Sequence, residues 1–108
     1  MSDESQIVVP ASFVAVYTEP GRNKPSATRV HITTRHEFCE DLASMLTEEA
    51  QNKLWQLGVT EHDVLERMLR GLRAGEPVVN DREAVWVVTR LAELLDWPAL
   101  MKPDAAPG

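Results

Sequence analysis

The chain has 108 residues, the size of one domain, with seventeen acidic against eleven basic side chains and a formal net charge of −6. That length buries roughly 65% of the unfolded surface in a single core, and the acidic balance argues against nucleic acid and anionic membranes as partners. A lone Cys39 excludes an internal disulfide, Met1-Ser2-Asp3-Glu4 lacks the basic-then-apolar order of a secretion signal, and no apolar run approaches the ~20 residues that span a bilayer, so the cytosol is the expected compartment.

Composition divides the chain into a leader at residues 1–25, a body at 26–97 and a tail at 98–108. In the leader, Pro10, Pro20, Pro25 and Gly21 forbid a long helix, and the segment is expected to be partly flexible. Phe13, Val16 and Tyr17 nevertheless fall at helical spacing behind Pro10, a favoured first-turn residue. This predicts a short helix near residues 10–18 packed on the body, with Val9 and Val14 leaving a short strand as the alternative.

No Pro or Gly interrupts residues 26–57, where Ile32, Cys39, Leu42, Ala43, Leu46, Ala50, Leu54 and Leu57 form one stripe of 3.6-residue period. One long amphipathic helix is expected, with weak points at Thr33-Thr34 and Leu46-Thr47, since threonine competes for backbone hydrogen bonds. Gly58 suits the left-handed residue that ends it. Val59-Thr60-Glu61-His62-Asp63-Val64 and Val79-Asn80-Asp81-Arg82-Glu83-Ala84 then repeat one helix-start signature, a capping residue three positions before a carboxylate and flanked by apolar side chains. They open helices at about 60–74 and 81–96. The third buries Val64, Leu65, Met68, Leu69 and Leu72; the fourth buries Ala84, Val88, Leu91 and Leu95 beside Val87 and Leu94, until Pro98 prevents continuation. The tail after Trp97 reads as too polar and proline-rich to fold. The fold class is all-α, a small antiparallel bundle of three to four helices with a flexible leader and a disordered tail.

Three residue sets are weak carriers of chemistry. His36, Cys39 and Glu40 share helical spacing, but a tetrahedral metal site wants a fourth ligand, and Cys39 lies within the apolar stripe as a small hydrophobe. No metal or cofactor is expected. The stretch from Gly21 to Lys24 lacks the second glycine and the Gly-Lys-Ser/Thr ending of a phosphate-binding loop, so ATP hydrolysis by this chain alone is not expected. Arg22, Lys24, Arg29 and Arg35 make a basic arm free of carboxylates. Four charges on an acidic domain supply few phosphate contacts, and they read more simply as a solvated face that pairs with the protein's own acids.

The fourth set carries the functional expectation. Trp55 points away from the helix-two stripe, and Trp86 sits opposite the helix-four stripe with Arg82 and Arg90 one turn to either side. Tryptophan beside arginine is the composition of an interface anchor with a polar rim. The alternative is that an off-stripe tryptophan covers a bundle edge, the short N-terminal helix or a self-association surface, with the arginines stacked on Trp86. If Trp86 is an exposed anchor, Trp86→Ala leaves melting nearly unchanged.

The runs Arg35-His36-Glu37-Phe38-Cys39-Glu40-Asp41-Leu42-Ala43, Gly58-Val59-Thr60-Glu61 and Trp86-Val87-Val88-Thr89-Arg90-Leu91-Ala92-Glu93-Leu94-Leu95 resemble a family of small, uncharacterised bacterial proteins, some labelled "ATPase with chaperone activity". The resemblance spans most of the chain. It implies a chaperone-associated, partner-binding role and brings no catalytic residue with it. The expectation is a non-enzymatic interaction module or chaperone-like accessory factor. It would bind another protein, or a second copy of itself as a homodimer, through Trp86, Arg82, Arg90 and Trp55. The alternative is an acidic nucleic-acid-associated regulator that uses the basic arm.

Overall fold

The structure, a computed structural model, describes residues 9–100. They fold as an all-α domain, and among the described residues there is no strand. A single turn of helix α1 (Ala11–Val14) runs into a 3-10 turn at Ala15–Tyr17, and three longer helices follow, α2 (Arg29–Leu57), α3 (Glu61–Arg73) and α4 (Asp81–Leu95). Helix α4 is the hub and touches every other helical element. No helix among the described residues is long and apolar enough to cross a membrane.

Each of the three long helices begins where a side chain can satisfy its first free amides. Thr28 accepts from the His31 amide at 3.1 Å and Thr60 from the Asp63 amide at 3.1 Å. At α4 both halves of a capping box are made: Asn80 Oδ1 accepts from the Glu83 amide at 2.7 Å, and Glu83 Oε1 accepts from the Asn80 amide at 3.0 Å. Helix α2 starts three residues later than the composition suggests, because Thr28 supplies the cap. It then runs 29 residues without a break. Thr47, a suspected weak point, turns its hydroxyl back onto the Ser44 carbonyl at 2.8 Å, so its competition for the backbone stays local.

The helix ends use different devices. Gly58, at φ 63°, closes α2 by donating its amide to the Leu54 carbonyl at 3.1 Å. Helix α4 stops before Pro98 can act: Asp96 takes the left-handed conformation at φ 62°, and the Trp97 amide reaches back to the Ala92 carbonyl at 2.8 Å. That turn folds Trp97 and Leu100 against the core, half-buried. The start of the expected tail is thus packed, a correction that follows from two apolar side chains within reach of the bundle. The rest of the tail, and leader residues 1–8, lie outside the described residues.

The core follows the sequence stripes closely. Val64, Leu65, Met68 and Leu69 of α3 are buried against Ala84, Val87, Val88 and Leu91 of α4, and against Ile32, Cys39, Ala43 and Ala50 of α2. One stripe member and one residue beside a stripe depart from it. Leu57 is 47% exposed at the last turn of α2, and Leu94 stands at the margin of the α4 stripe and is also exposed. The leader packs through Phe13, which is fully buried, and it does so as the short helix, not as a strand.

Candidate functional site

Glu83 organises the region around α4. Besides closing the capping box, its carboxylate receives a two-pronged contact from Arg35 of α2, with Nε on Oε2 at 2.9 Å and Nη2 on Oε1 at 2.9 Å. The Tyr17 hydroxyl donates to the same Oε2, and Arg35 Nη2 also donates to the Val78 carbonyl at 2.9 Å. One buried acid, 2% exposed, therefore ties the leader, α2, the α3–α4 connection and the start of α4 together. Burial by itself would raise the Glu83 pKa; the hydrogen bonds from Arg35, Tyr17 and the Asn80 amide outweigh it and hold the group ionised, below its ordinary value. Burial, reinforced by the neighbouring Glu83 charge, pushes the Tyr17 hydroxyl up to about 12, so it remains a donor.

A second group of contacts holds the leader as a strap across α2 and α4. Phe13 sits edge-on to Trp86 at 5.0 Å between ring centroids and to His36 at 5.3 Å, while the Trp86 indole N–H donates to Ser12 Oγ at 3.0 Å. Arg82 Nη2 donates to the Ala15 and Thr18 carbonyls at 3.2 and 3.4 Å. His36 Nδ1 is buried and has no hydrogen-bond partner among the described residues.

Beside the strap, a groove of about 970 Å³ opens along α4. Arg82, Val85, Trp86, Thr89, Arg90 and Glu93 line it from α4, at the spacing that places them on one helix face. Pro10, Ala15 and Val16 of the strap form one wall, His36 and Glu40 of α2 contribute to another, and the Arg73–Asp81 pair, 3.2 Å apart, stands at its edge. The lining thus combines apolar surface from Trp86, Val85, Val16, Ala15 and Pro10 with charges of both signs. At the far end Arg90 Nε meets Glu40 at 2.9 Å and Arg90 Nη1 meets Glu93 at 3.0 Å.

Three of the four residues expected at a partner surface, Trp86, Arg82 and Arg90, line this groove, but the fourth does not join them. Trp55 stands 84% exposed on the C-terminal half of α2 and is no part of the groove lining. The expectation that Trp86 is an exposed anchor is corrected: it is 8% exposed, with the strap over it. The physical reason is that Phe13 and Ser12 supply an apolar face and an acceptor for an indole that a bare α4 would have left in water. Among the described residues no guanidinium stacks on Trp86; the cation–π contact is Arg35 over Phe38, 4.8 Å from the ring centroid.

The other sequence sets resolve as follows. Cys39 is fully buried, and burial, helped by the Glu83 charge, pushes its thiol up to about 12, which leaves it a hydrophobe at neutral pH. His36 turns towards the aromatic cluster and Glu40 towards Arg90, so the helical trio does not converge, and among the described residues no group of three His, Cys, Asp or Glu side chains is placed to hold a metal ion. Arg35 leaves the basic arm for Glu83, while Arg22, Lys24 and Arg29 stay on the exposed connection and the first turn of α2. Glu83 itself was legible only as a cap; nothing in its spacing signals that Arg35 and Tyr17 meet it. No protein-family model, curated protein or solved structure matches the chain.

Proposed function

We propose that the protein is a non-enzymatic protein-binding module of the cytoplasm, a chaperone-like accessory factor whose binding surface is the groove along α4. The observation that carries this reading is the groove's composition: apolar lining from Val85, Val16, Ala15, Pro10 and the small uncovered part of Trp86, flanked by Arg82, Arg90 and Glu93. An apolar centre with aromatic and arginine side chains inside a polar margin is the usual anatomy of a protein interface. Its volume of about 970 Å³ stands at the upper end of the range for bound small molecules and has room for a short peptide segment. The second copy envisaged for a homodimer and the exposed Trp55 play no part in this reading.

The test compares capture from a bacterial lysate by the wild type, by Thr89→Trp, which fills the groove, and by Trp55→Ala. A defined protein retained by the wild type and by Trp55→Ala but lost with Thr89→Trp is the expected outcome. Retention by all three, or loss with Trp55→Ala alone, would move the binding surface elsewhere.

A further inference from the structure

Resting on that reading, the distribution of charge in the groove specifies the partner's chemistry. Of the three arginines that line it, Arg73 is matched by Asp81 and Arg90 is shared by Glu40 and Glu93. Arg82 donates to two neutral carbonyls of the strap and meets no carboxylate among the described residues. Among the described residues the groove is therefore polarised: at one end a guanidinium that no described carboxylate meets, at the other two carboxylates on one guanidinium, and Trp86, Val85 and Thr89 between them. The dipole of α4 runs in the same sense, positive near Arg82 and negative towards Glu93. Arg82 and Glu93 share one face of α4 and are separated by about 16 Å at the helical rise of 1.5 Å per residue.

We propose that the groove binds an extended peptide segment of another protein in one orientation, with a carboxylate of the peptide at Arg82, an apolar side chain over Val85 and the small part of Trp86 that the strap leaves uncovered, and a cation of the peptide at Glu93 and Glu40. At about 3.3 Å per residue for extended chain, the two charges of the peptide stand about five positions apart. The net charge of −6 disfavours a purely acidic segment at long range, and the two carboxylates at the far end attract the cation that makes the segment neutral overall. The long-range term fades beyond a Debye length of about 8 Å at physiological salt, whereas contact pairing with Arg82 persists.

The full chain is titrated with synthetic hexapeptide pools of the patterns Glu-x-Leu-x-x-Lys, Glu-x-Leu-x-x-Glu and Lys-x-Leu-x-x-Lys while its ¹⁵N–¹H spectrum is recorded. The mixed pool is expected to shift the Arg82, Val85, Arg90 and Trp86 indole signals with a Kd about tenfold below either like-charged pool. A nitroxide on its acidic end should broaden signals near Arg82, and one on its basic end signals near Glu93. Arg82→Gln, which keeps an N–H for the strap carbonyls, should remove the preference for an acid, and Arg82→Glu should transfer it to the pool with two lysines. Arg82→Gln serves alone if Arg82→Glu loosens the strap. Equal affinities for the three pools, or nitroxide broadening at the opposite ends, overturn the inference while leaving a groove-binding module; no groove shift with any pool overturns both.

Discussion

Trp86 and Trp55 occupy formally similar places, each off the apolar stripe of its helix, yet one is 8% and the other 84% exposed. The difference lies in what the rest of the chain brings to each. The N-terminal half of α4 faces the strap, which delivers Phe13 as an aromatic neighbour, Ser12 as an acceptor and Tyr17 as a donor to Glu83. The C-terminal half of α2 projects Met45 and Trp55 outward, and none of the described residues returns to cover them. Burial of an off-stripe side chain is decided by a third element, not by the helix that carries it.

The comparison can be broken at its strongest point by Glu83→Ala. Removing the carboxylate leaves the Arg35 guanidinium without its partner, the Tyr17 hydroxyl without its acceptor and the Asn80 cap half made, and the expected loss is about 3–5 kcal/mol in denaturant unfolding. A loss below about 1 kcal/mol would show that the cluster is solvated and replaceable. Trp86→Ala should cost about 3–5 kcal/mol as a large core truncation, the reverse of what an exposed anchor predicts. Unchanged melting would return Trp86 to the surface. Leu91→Ala, fully buried in the core shared with α3, should cost about 2–5 kcal/mol and provides the scale for the other two.

Next in size is the pH dependence of the latch. The Glu83 pKa is lowered in the fold, so its contribution is present above the ordinary value of 4.5 and is lost as the pH falls through the folded value. The Tyr17 pKa is raised from 10 to about 12, so its contribution is complete below pH 10 and is lost as the pH rises towards 12. Stability measured against pH should fall at both extremes, and in Glu83→Gln the acid limb attributable to this group should flatten; an unchanged acid limb would assign it to other carboxylates. The smallest effect is expected at Trp55→Ala, within about 0.5 kcal/mol of the wild type, because the side chain is already in water. A larger loss, or one that depends on protein concentration, would reveal that a second copy covers it.

Much of the fold could be read from local pattern. The two capping signatures located α3 and α4 to within a residue, and four of the five side chains of the α3 stripe are buried with Leu72 half-buried, because a cap and a 3.6-residue period are short-range properties. The end of α4 was placed one residue late, since a left-handed Asp96 is a rarer stop than Gly or Pro. The candidate site was legible in part: Arg82, Trp86 and Arg90 do share a surface, as their one-turn spacing requires. The partners from other elements, His36, Glu40, Arg73 and the strap residues, were not legible as members of that surface, nor was Glu83 as a buried acid. The strap's place in that surface depends on where an eleven-residue connection of mostly exposed residues, 18–28, lets the leader land, and the rest depends on how α2 and α3 pack on α4.

The sequence by itself determined the all-α class, the three long helices, the faces they bury and the acidic, single-cysteine character of the chain, because periodicity, capping and composition act over a few residues at a time. Only the tertiary structure decided that the leader becomes a strap, that Arg35 and Tyr17 converge on Glu83, that Trp86 is covered while Trp55 is not, and that a polarised groove results. Those outcomes join residues 48 to 74 positions apart, and the free energy that selects them comes from burying one element's apolar side chains against another's, which no local window contains.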